Sequence, residues 1–243
     1  MIDIHCHILY GVDDGPKDME ESIEMLEDAV KQGIDTIILT PHYRNGMFSY
    51  PTEIIESHYK NLVSKFDDSL NLYLGCEYHV DEDIYKNLMN YRIHTLNDGS
   101  YILTEYKYSS PYQQILEYTQ ELIYRGYTPV IAHIERYKCF RGHIDAVERL
   151  SDIGALIQIN ADALLKIGPK KGLFVSKEVR DTYKFCHTLL KYELVDVVAS
   201  DAHGISDRVN HMKQARDLVY RKYGKDYADM IFERIPRKIV EGK

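Results

Sequence analysis

The sequence lacks the features that would direct it to a membrane or to nucleic acid. It has no run of about 20 apolar residues, the length that spans a bilayer, and Met1 leads directly into IDIHCH without the pattern of a signal peptide. Lysine and arginine number 30 against 38 aspartates and glutamates, and the net charge of -8 gives no long-range attraction to nucleic acid or anionic lipid. We therefore expect a cytoplasmic protein with no nucleic-acid partner and no direct membrane insertion.

Disulfide motifs and domain linkers are also missing. No two of the four cysteines form a C-x-x-C pair, and we interpret Cys6, Cys76, Cys139 and Cys186 as reduced thiols that pack in the core. We find no repeat, low-complexity stretch or linker, and 243 residues are ordinary for one α/β domain. Residues 1–243 are therefore predicted to form a single domain.

What the sequence does contain is an alternating series of strand and helix patterns. Several apolar runs, such as TIILT, do not alternate with polar residues, as expected for parallel strands covered on both faces. The seven predicted strands are Met1–His5, Thr36–Thr40, Leu70–Leu74, Tyr101–Thr104, Pro129–Ala132, Ala155–Ile159 and Val195–Ala199. The predicted helices are Met19–Gln32, Thr52–Phe66, Asp83–Asn90, Tyr112–Arg125, Ile144–Ile153, Ser176–Lys191, Val209–Tyr223 and Tyr227–Glu233.

This order predicts an α/β fold with a parallel sheet. The first helix has clear boundaries, since Asp18 and Glu21 are spaced as a capping box and Gly33 suits the left-handed stop. Strict alternation implies right-handed crossovers, and seven units would nearly close into a TIM-like barrel. An open doubly wound sheet is the alternative, because connectivity alone does not show closure.

Residues that bind metal ions lie at or just after the carboxyl ends of six of the seven predicted strands. They are His5, His7, Asp14, His42, Glu77, Glu105, His133, Asp201 and His203. In a β/α barrel this end carries the active site. A single such residue is more often an ordinary hydrogen-bonded group, but separate structural roles do not explain the repetition. The set has no cysteine and mixes imidazole with carboxylate, which favours manganese, iron, zinc or magnesium in a hydrolytic site.

The charge of such a site favours an anionic substrate. Three divalent ions would outweigh the four carboxylates of the set and leave an excess of positive charge. Arg136 and Arg208 are each near a candidate ligand in sequence and could add bidentate contacts to a phosphate group. The alternative for each arginine is a solvated salt bridge.

The ordered motifs resemble those of the polymerase and histidinol phosphatase (PHP) superfamily. Within it, the segments IDIHCHILYGVDDGPKDMEES, TPHYRNGMF, TPVIAHIERY and VVASDAHG are similar to those of metal-dependent protein-tyrosine phosphatases from bacterial capsule and exopolysaccharide operons. The resemblance covers nearly the whole chain and implies a distorted (β/α)7 barrel with three divalent ions, manganese being favoured. The helical stretch Lys166–Lys191 carries no functional residue of the family's motifs.

The resemblance also implies a role for each candidate residue. A first metal would be held by His5, His7, Glu77 and Asp201, a second by Glu77, Glu105 and His133, a third by Asp14, His42 and His203, and the phosphate by Arg136 and Arg208. The implied substrate is phosphotyrosine in the tail of a membrane-associated tyrosine kinase that controls polysaccharide synthesis, and the implied nucleophile is a hydroxide bridging the metals. A cysteine-dependent phosphatase would carry C-x5-R, but none of the four cysteines is followed by an arginine at that spacing.

Two other functions and one substrate pocket stay open at this point. The chain could be a PHP phosphatase of a small phosphomonoester such as histidinol phosphate, or a non-catalytic regulator that binds the kinase. The side chains of Tyr43, Met47 and Phe48, or of Tyr106 and Tyr108, could form a pocket for the aromatic ring of the substrate. Their other role is ordinary packing.

Overall fold

The structure is a computed structural model that describes residues 1–66, 69–165 and 176–242. Strands and helices alternate along these residues. The strands are β1 (Ile2–Asp3), β2 (Thr36–Leu39), β3 (His42–Tyr43), β4 (Asn71–Leu74), β5 (Glu77–His79), β6 (Tyr101–Glu105), β7 (Thr128–Ile131), β8 (Leu156–Asn160) and β9 (Val197–Ala199). The helices are α1 (Met19–Gln32), α2 (Thr52–Lys65), α3 (Ile84–Met89), α4 (Tyr112–Tyr124), α5 (Ile144–Asp152), α6 (Lys177–Lys191), α7 (Met212–Tyr223), α8 (Lys225–Asp229) and α9 (Ile235–Val240).

All neighbouring strands run parallel, and two of the barrel strands continue beyond the predicted ends after a short interruption. The strands have the orders β1-β2-β4 and β3-β5-β6-β7-β8-β9. The second predicted strand corresponds to β2, and pairing resumes after Thr40–Pro41 as β3; the third corresponds to β4, and pairing resumes after Gly75–Cys76 as β5. Backbone hydrogen bonds from Gly75 and Glu77 to the neighbouring strand continue across both interruptions. The nine short strands therefore correspond to seven barrel strands.

Hydrogen bonds between the first and last strands close the barrel. The amide of Asp201 donates to the carbonyl oxygen of His5 at 2.8 Å, and the amide of His7 donates to that of Ala202 at 2.8 Å. The predicted distorted barrel is thus confirmed, and the open doubly wound sheet is wrong. β1 ends early because the Asp3 carboxylate accepts hydrogen bonds from the amides of His5 and Ser200, which replaces strand pairing at this point.

Alternating side chains divide each strand between the barrel interior and the outer core under the helices. Ile37 and Leu39 of β2 belong to the large outer core, whereas Ile38 packs in a smaller cluster with Leu103, Val197 and other residues. Because Leu103 lies two residues before Glu105 on β6, this smaller cluster fills the barrel beneath the candidate ligands. In the described part of the chain, no helix is long and apolar enough to cross a bilayer.

Most predicted helices are confirmed with shifts of a few residues at their ends. Asp18 caps α1 through its carboxylate, which accepts from the amide of Glu21 at 3.0 Å, and Gly33 ends it with a φ of 83°. The other half of the predicted capping box is wrong, because Glu21 accepts from the amide of Lys17. The last helix does not end at Glu233, since a π-helical segment, Met230–Arg234, continues into α9. Residues 166–175 of the stretch Lys166–Lys191 lie outside the described residues.

Candidate metal centre

The nine predicted ligands converge at the carboxyl end of the barrel. His42 and Glu77 are the first residues of β3 and β5, the continued halves of the interrupted strands, and Glu105 ends β6. The others lie in the loops that follow the first, fifth and seventh barrel strands. Four overlapping groups of possible metal ligands result, with the ligand atoms of each group within 4.8 Å of one another.

The first predicted ion site, called the first group below, joins His5, His7 and Asp201 from one of these four groups with Glu77 from another. Nε2 of His5 lies 3.3 Å from Nε2 of His7, 3.4 Å from Oε2 of Glu77 and 3.5 Å from Oδ1 of Asp201. Nε2 of His7 lies 3.2 Å and 3.5 Å from the same two oxygens. Ligand atoms about 2.1 Å from a tetrahedrally coordinated ion are about 3.4 Å apart. These five separations therefore match those between neighbouring ligands of one ion.

The second group uses the other oxygen of Glu77. Its Oε1 lies 2.8 Å from Nε2 of His133, which in turn lies 3.8 Å from Oε1 of Glu105. Nδ1 of His79 lies 2.9 Å from the second oxygen of Glu105 and so fixes this carboxylate. The two oxygens of Glu77 thus face two different ligand groups, which is the arrangement of a bridging carboxylate.

The third group lies at the outer edge of the centre. Oδ1 of Asp14 lies 3.3 Å from Nε2 of His203 and 3.4 Å from Nε2 of His42, whose Nδ1 is 2.8 Å from Oε2 of Glu77. Oε2 of Glu77 and Nε2 of His203 are buried without a well-oriented hydrogen bond from the described residues. Buried polar atoms normally have a partner, so these two atoms fit a site that holds cations.

Two contacts that the sequence analysis did not identify orient the rings of His7 and His203. Nδ1 of His7 lies 2.7 Å from the buried carboxylate of Asp13, and Nδ1 of His203 donates to the carbonyl oxygen of Asp201 at 2.9 Å. Such contacts on the outer ring nitrogen leave Nε2 free to bind a metal ion. Asp13 carried a weak signal, because it directly precedes a predicted ligand in the segment GVDDG.

A glycine turn brings Asp13 and Asp14 back over the end of the first strand. The amide of Gly15 donates to Oδ1 of Asp13 at 2.9 Å, and the amide of His42 donates to Oδ2 at 2.9 Å. A Cβ atom at Gly15 would lie 2.2 Å from the carbonyl oxygen of His7, so only glycine fits here. The turn therefore sets the position of both acidic residues relative to the histidines.

The two predicted phosphate-binding arginines both contact Asp201. Nη2 of Arg136 donates to Oδ2 at 2.6 Å, and Nη2 of Arg208 lies 3.1 Å and 3.2 Å from the two carboxylate oxygens. Arg208 also donates to Asp14 at 3.3 Å. Both guanidinium groups therefore lie at the metal centre, where they could bind a phosphate group together with the ions.

The electrostatic environment keeps the carboxylates ionised. Burial opposes ionisation of Glu77, but His5 and His42 hold its pKa well below the usual range. Burial likewise opposes ionisation of Asp201, and Arg136 and His5 lower its pKa strongly. Since ionised carboxylates are the form that binds metal ions, the centre favours cations at neutral pH.

Two of the histidines are held in the neutral form that metals require. Burial and the positive charge of Arg136 lower the pKa of His133. Burial and the nearby His7 lower the pKa of His203 to about 4. The pKa values of His5 and His7 are raised despite burial, chiefly by Glu77 and Asp13 respectively. A divalent cation would take the place of those protons.

Of the five residues proposed for an aryl pocket, two lie beside the ligands. The Phe48 ring is parallel to His42 at 5.6 Å, and Tyr108 lies edge-on to His133 at 6.1 Å and accepts a hydrogen bond from Arg136. The other three lie elsewhere. Tyr43 stacks on Tyr78, Tyr106 packs against Tyr137 in the core, and Met47 is 60% exposed.

Two similar proteins carry the name of tyrosine-protein phosphatase. The chain is 38% identical over 243 residues to the tyrosine-protein phosphatase CpsB of Streptococcus pneumoniae, covering 99% of this chain and 98% of that protein. It is 35% identical over 240 residues to the tyrosine-protein phosphatase YwqE of Bacillus subtilis, covering 96% and 89%.

Solved structures show the same fold. One from work on YwqE of B. subtilis and CpsB of S. pneumoniae, metal-dependent tyrosine phosphatases, has a TM-score of 0.86 and 32% identity, covering 100% of this chain and 95% of that one. A phosphotriesterase from Mycobacterium tuberculosis, at 13% identity and a TM-score of 0.63 over 99% and 93% of the chains, shares the fold alone. The model of the family "Capsular polysaccharide synthesis, CpsB/CapC" matches residues 1–241, and the chain therefore belongs to the CpsB/CapC family.

Proposed function

We propose that the chain is a manganese-dependent protein-tyrosine phosphatase. Its substrate is phosphotyrosine in the tail of a membrane-associated bacterial tyrosine kinase that controls capsular or exopolysaccharide synthesis. The observation that carries the proposal is the set of overlapping ligand groups that share Glu77, with two arginines directed at the same centre. A regulator that only binds the kinase has no need of such a centre. The tyrosine-phosphatase names of the similar proteins and the polysaccharide family support this choice.

The ligand set fits divalent cations. His5, His7, Glu77 and Asp201 would hold one ion, the pair Glu105 and His133 would share Glu77 to hold a second, and Asp14, His42 and His203 would hold a third. Mixed carboxylate and imidazole ligands suit manganese, and also iron, zinc or magnesium. When bound, such ions supply positive charge to the phosphate oxygens and lower the pKa of bound water to about 7.

The residues of the chain bind and orient the substrate. The fork-shaped guanidinium groups of Arg136 and Arg208 would bind the phosphate oxygens and stabilise the charge that gathers there during hydrolysis. Phe48 lies beside His42 and Tyr108 beside His133, and these two rings would contact the tyrosine ring of the substrate. A tyrosine phenolate, with a pKa of about 10, leaves more easily than a serine alkoxide, so a general acid matters less.

We further propose that residues 1–243 act as one domain in the cytoplasm. The four cysteines are free thiols, which suits a reducing compartment. The net charge of -8 gives no long-range attraction to nucleic acid.

The decisive experiment measures phosphate release by the purified protein with manganese. The substrates are a phosphotyrosine peptide, the same peptide with phosphoserine, and histidinol phosphate, each with and without a chelator. We expect turnover of the phosphotyrosine peptide that the chelator abolishes. Turnover of histidinol phosphate alone, or tight peptide binding without phosphate release, would overturn the proposal.

A further inference from the structure

The sixth barrel strand, β8, gives the centre no predicted metal ligand and carries two buried amides instead. Gln158 and Asn160 lie two residues apart and are 0% and 1% exposed. Ile157 and Ile159 of the same strand pack in the outer core, so by alternation both amides face the barrel interior. The metal-ligand groups lie at the carboxyl end of this interior.

A single backbone hydrogen bond fixes the orientation of both amides. The amide of His133 donates to Gln158 at 2.7 Å, and because a backbone N–H can only donate, the side-chain atom that it meets must be the oxygen. The NH2 group of Gln158 then points to Asn160, 2.9 Å away, and must meet its oxygen. The NH2 group of Asn160 is left to donate to Oδ2 of Asp201 at 2.7 Å.

The same chain of hydrogen bonds begins at another ligand. Nδ1 of His5 lies 3.2 Å from the oxygen of Gln158, and since that oxygen only accepts, Nδ1 must carry the ring proton. The Nε2 atom, which faces Glu77 and Asp201, is then left with its lone pair for a metal ion. Three hydrogen bonds in one direction thus connect His5 to Asp201, two members of the first ligand group.

We infer that Gln158 and Asn160 are positioning residues that assemble the first metal site as a unit. Gln158 selects the tautomer of His5 that can bind a metal, and Asn160 holds the Asp201 carboxylate in place. Because the two amides bond to each other, a substitution at either one removes a partner of the other and weakens its hold on its ligand. The inference rests on the proposed metal centre, but it concerns affinity for the ion and not the identity of the substrate.

The test is a double-mutant cycle read out by metal affinity. Metal-free full-length protein is titrated with Mn²⁺ for the wild type, Gln158→Met, Asn160→Leu and the double variant. Residues behind metal ligands typically contribute about 10- to 100-fold in affinity, and we expect each single variant to lose this much. The double variant should bind no more than about 3-fold more weakly than the weaker single variant, because the chain is already broken.

Asn87→Leu is the matched control. Asn87 is a buried amide that donates to the hydroxyl of Tyr78, whose side chain packs in a separate apolar cluster, so its loss should lower the thermal stability but leave the metal affinity unchanged. Single variants that bind Mn²⁺ as tightly as the wild type, or losses that add fully in the double variant, would overturn the inference. A wild type that binds no divalent ion would overturn it together with the proposed centre. A wild type that binds Mn²⁺ but does not hydrolyse the phosphotyrosine peptide would contradict the proposed function and leave this inference standing.

A second measurement needs no substitution and decides the matter if a variant fails to fold. In zinc-loaded wild-type protein, the ¹⁵N resonances of the His5 ring report which nitrogen carries the proton. We expect a proton on Nδ1 that exchanges slowly with solvent, since its acceptor Gln158 is buried. A His5 ring without a proton on Nδ1 would contradict the inference.

Discussion

The buried carboxylate of Asp13 lies 2.7 Å from Nδ1 of His7. Its two oxygens also accept hydrogen bonds from the amides of Gly15 and His42, so the residue joins three segments of the centre. Burial opposes the negative charge, but His7 keeps the pKa of Asp13 below its usual range. This contact turns Nε2 of His7 toward Glu77 and Asp201.

Asp13→Asn should weaken metal binding by about 10- to 100-fold, although Asp13 is not itself in any of the ligand groups. An asparagine has one oxygen only, so its NH2 group would face one of the N–H donors that now bond to the carboxylate. The measurement is the Mn²⁺ affinity of the metal-free protein. Asp217→Asn, at an exposed position on α7, is the control and should bind as the wild type does. Equal affinity in both variants would show that Asp13 does not orient a ligand.

Phe48→Ala should reduce selectivity for phosphotyrosine. Phe48 lies parallel to His42 at the edge of the centre, and an aromatic pair contributes about 0.5–1.5 kcal/mol, or about 2- to 13-fold. We expect kcat/KM to fall by that factor for a phosphotyrosine peptide and to change little for the phosphoserine peptide. Met47→Ala changes the exposed neighbour and should alter neither value. If Phe48→Ala lowers kcat/KM equally for both peptides, Phe48 supports the loop and does not contact the tyrosine ring.

Arg136→Lys should lower kcat/KM by about 100-fold, because lysine cannot replace two parallel N–H donors at a phosphate. At saturating Mn²⁺ the metal content should stay at the wild-type level, since lysine keeps a positive charge at this position beside Asp201 and Arg136 offers no ligand atom itself. Arg141→Lys is the control, as Arg141 pairs with Glu178 at the surface. A loss of activity that follows a loss of metal would assign Arg136 to the centre's assembly and not to phosphate.

Asp196 should make stability fall as pH rises. Burial raises its pKa to about 6 from an ordinary 3.8, although the amide of Ile157 donates to it. The folded state therefore holds a proton that the unfolded state releases between about pH 4 and 6, and above pH 6 the buried charge costs up to about 3 kcal/mol. Asp196→Asn keeps an acceptor for Ile157 and removes the charge.

Urea unfolding at pH 4 and pH 8 measures this effect. The variant should gain stability relative to the wild type at pH 8 and little at pH 4. A constant difference between the two proteins at both pH values would show that the Asp196 pKa is not raised. The residue directly precedes β9, at the end of the strand opposite to the centre, so the comparison does not depend on metal occupancy.

The metal ligands could be predicted from the sequence, but the side chains that hydrogen-bond to them, such as Gln158 and Asp13, could not. The carboxyl ends of parallel strands meet at one end of a barrel, so His5, Glu77 and Asp201 could be placed together from strand order alone. An amide within a strand, such as Gln158, has no such signature, because its role depends on which neighbours it meets after folding. The same holds for Asp13, whose partner is set by the Gly15 turn.

The interruptions of two strands were also missed. Pro41 cannot donate a backbone hydrogen bond, and it lies where β2 ends and β3 begins. The apolar pattern of Thr36–Thr40 gives no sign that pairing resumes at His42. The sequence therefore identified His42 as a residue that follows a strand, whereas the structure places it at the start of the continued strand.

The most direct test of the central claim is phosphate release from a phosphotyrosine peptide by the manganese-loaded wild type, by Glu77→Ala and by Glu178→Ala. Glu77 is fully buried and its two oxygens face two ligand groups, whereas Glu178 is 73% exposed on α6. The account predicts that the wild type and Glu178→Ala release phosphate until a chelator is added, and that Glu77→Ala stays near background. Wild-type rates for Glu77→Ala, or wild-type activity that survives removal of the metal, would contradict it.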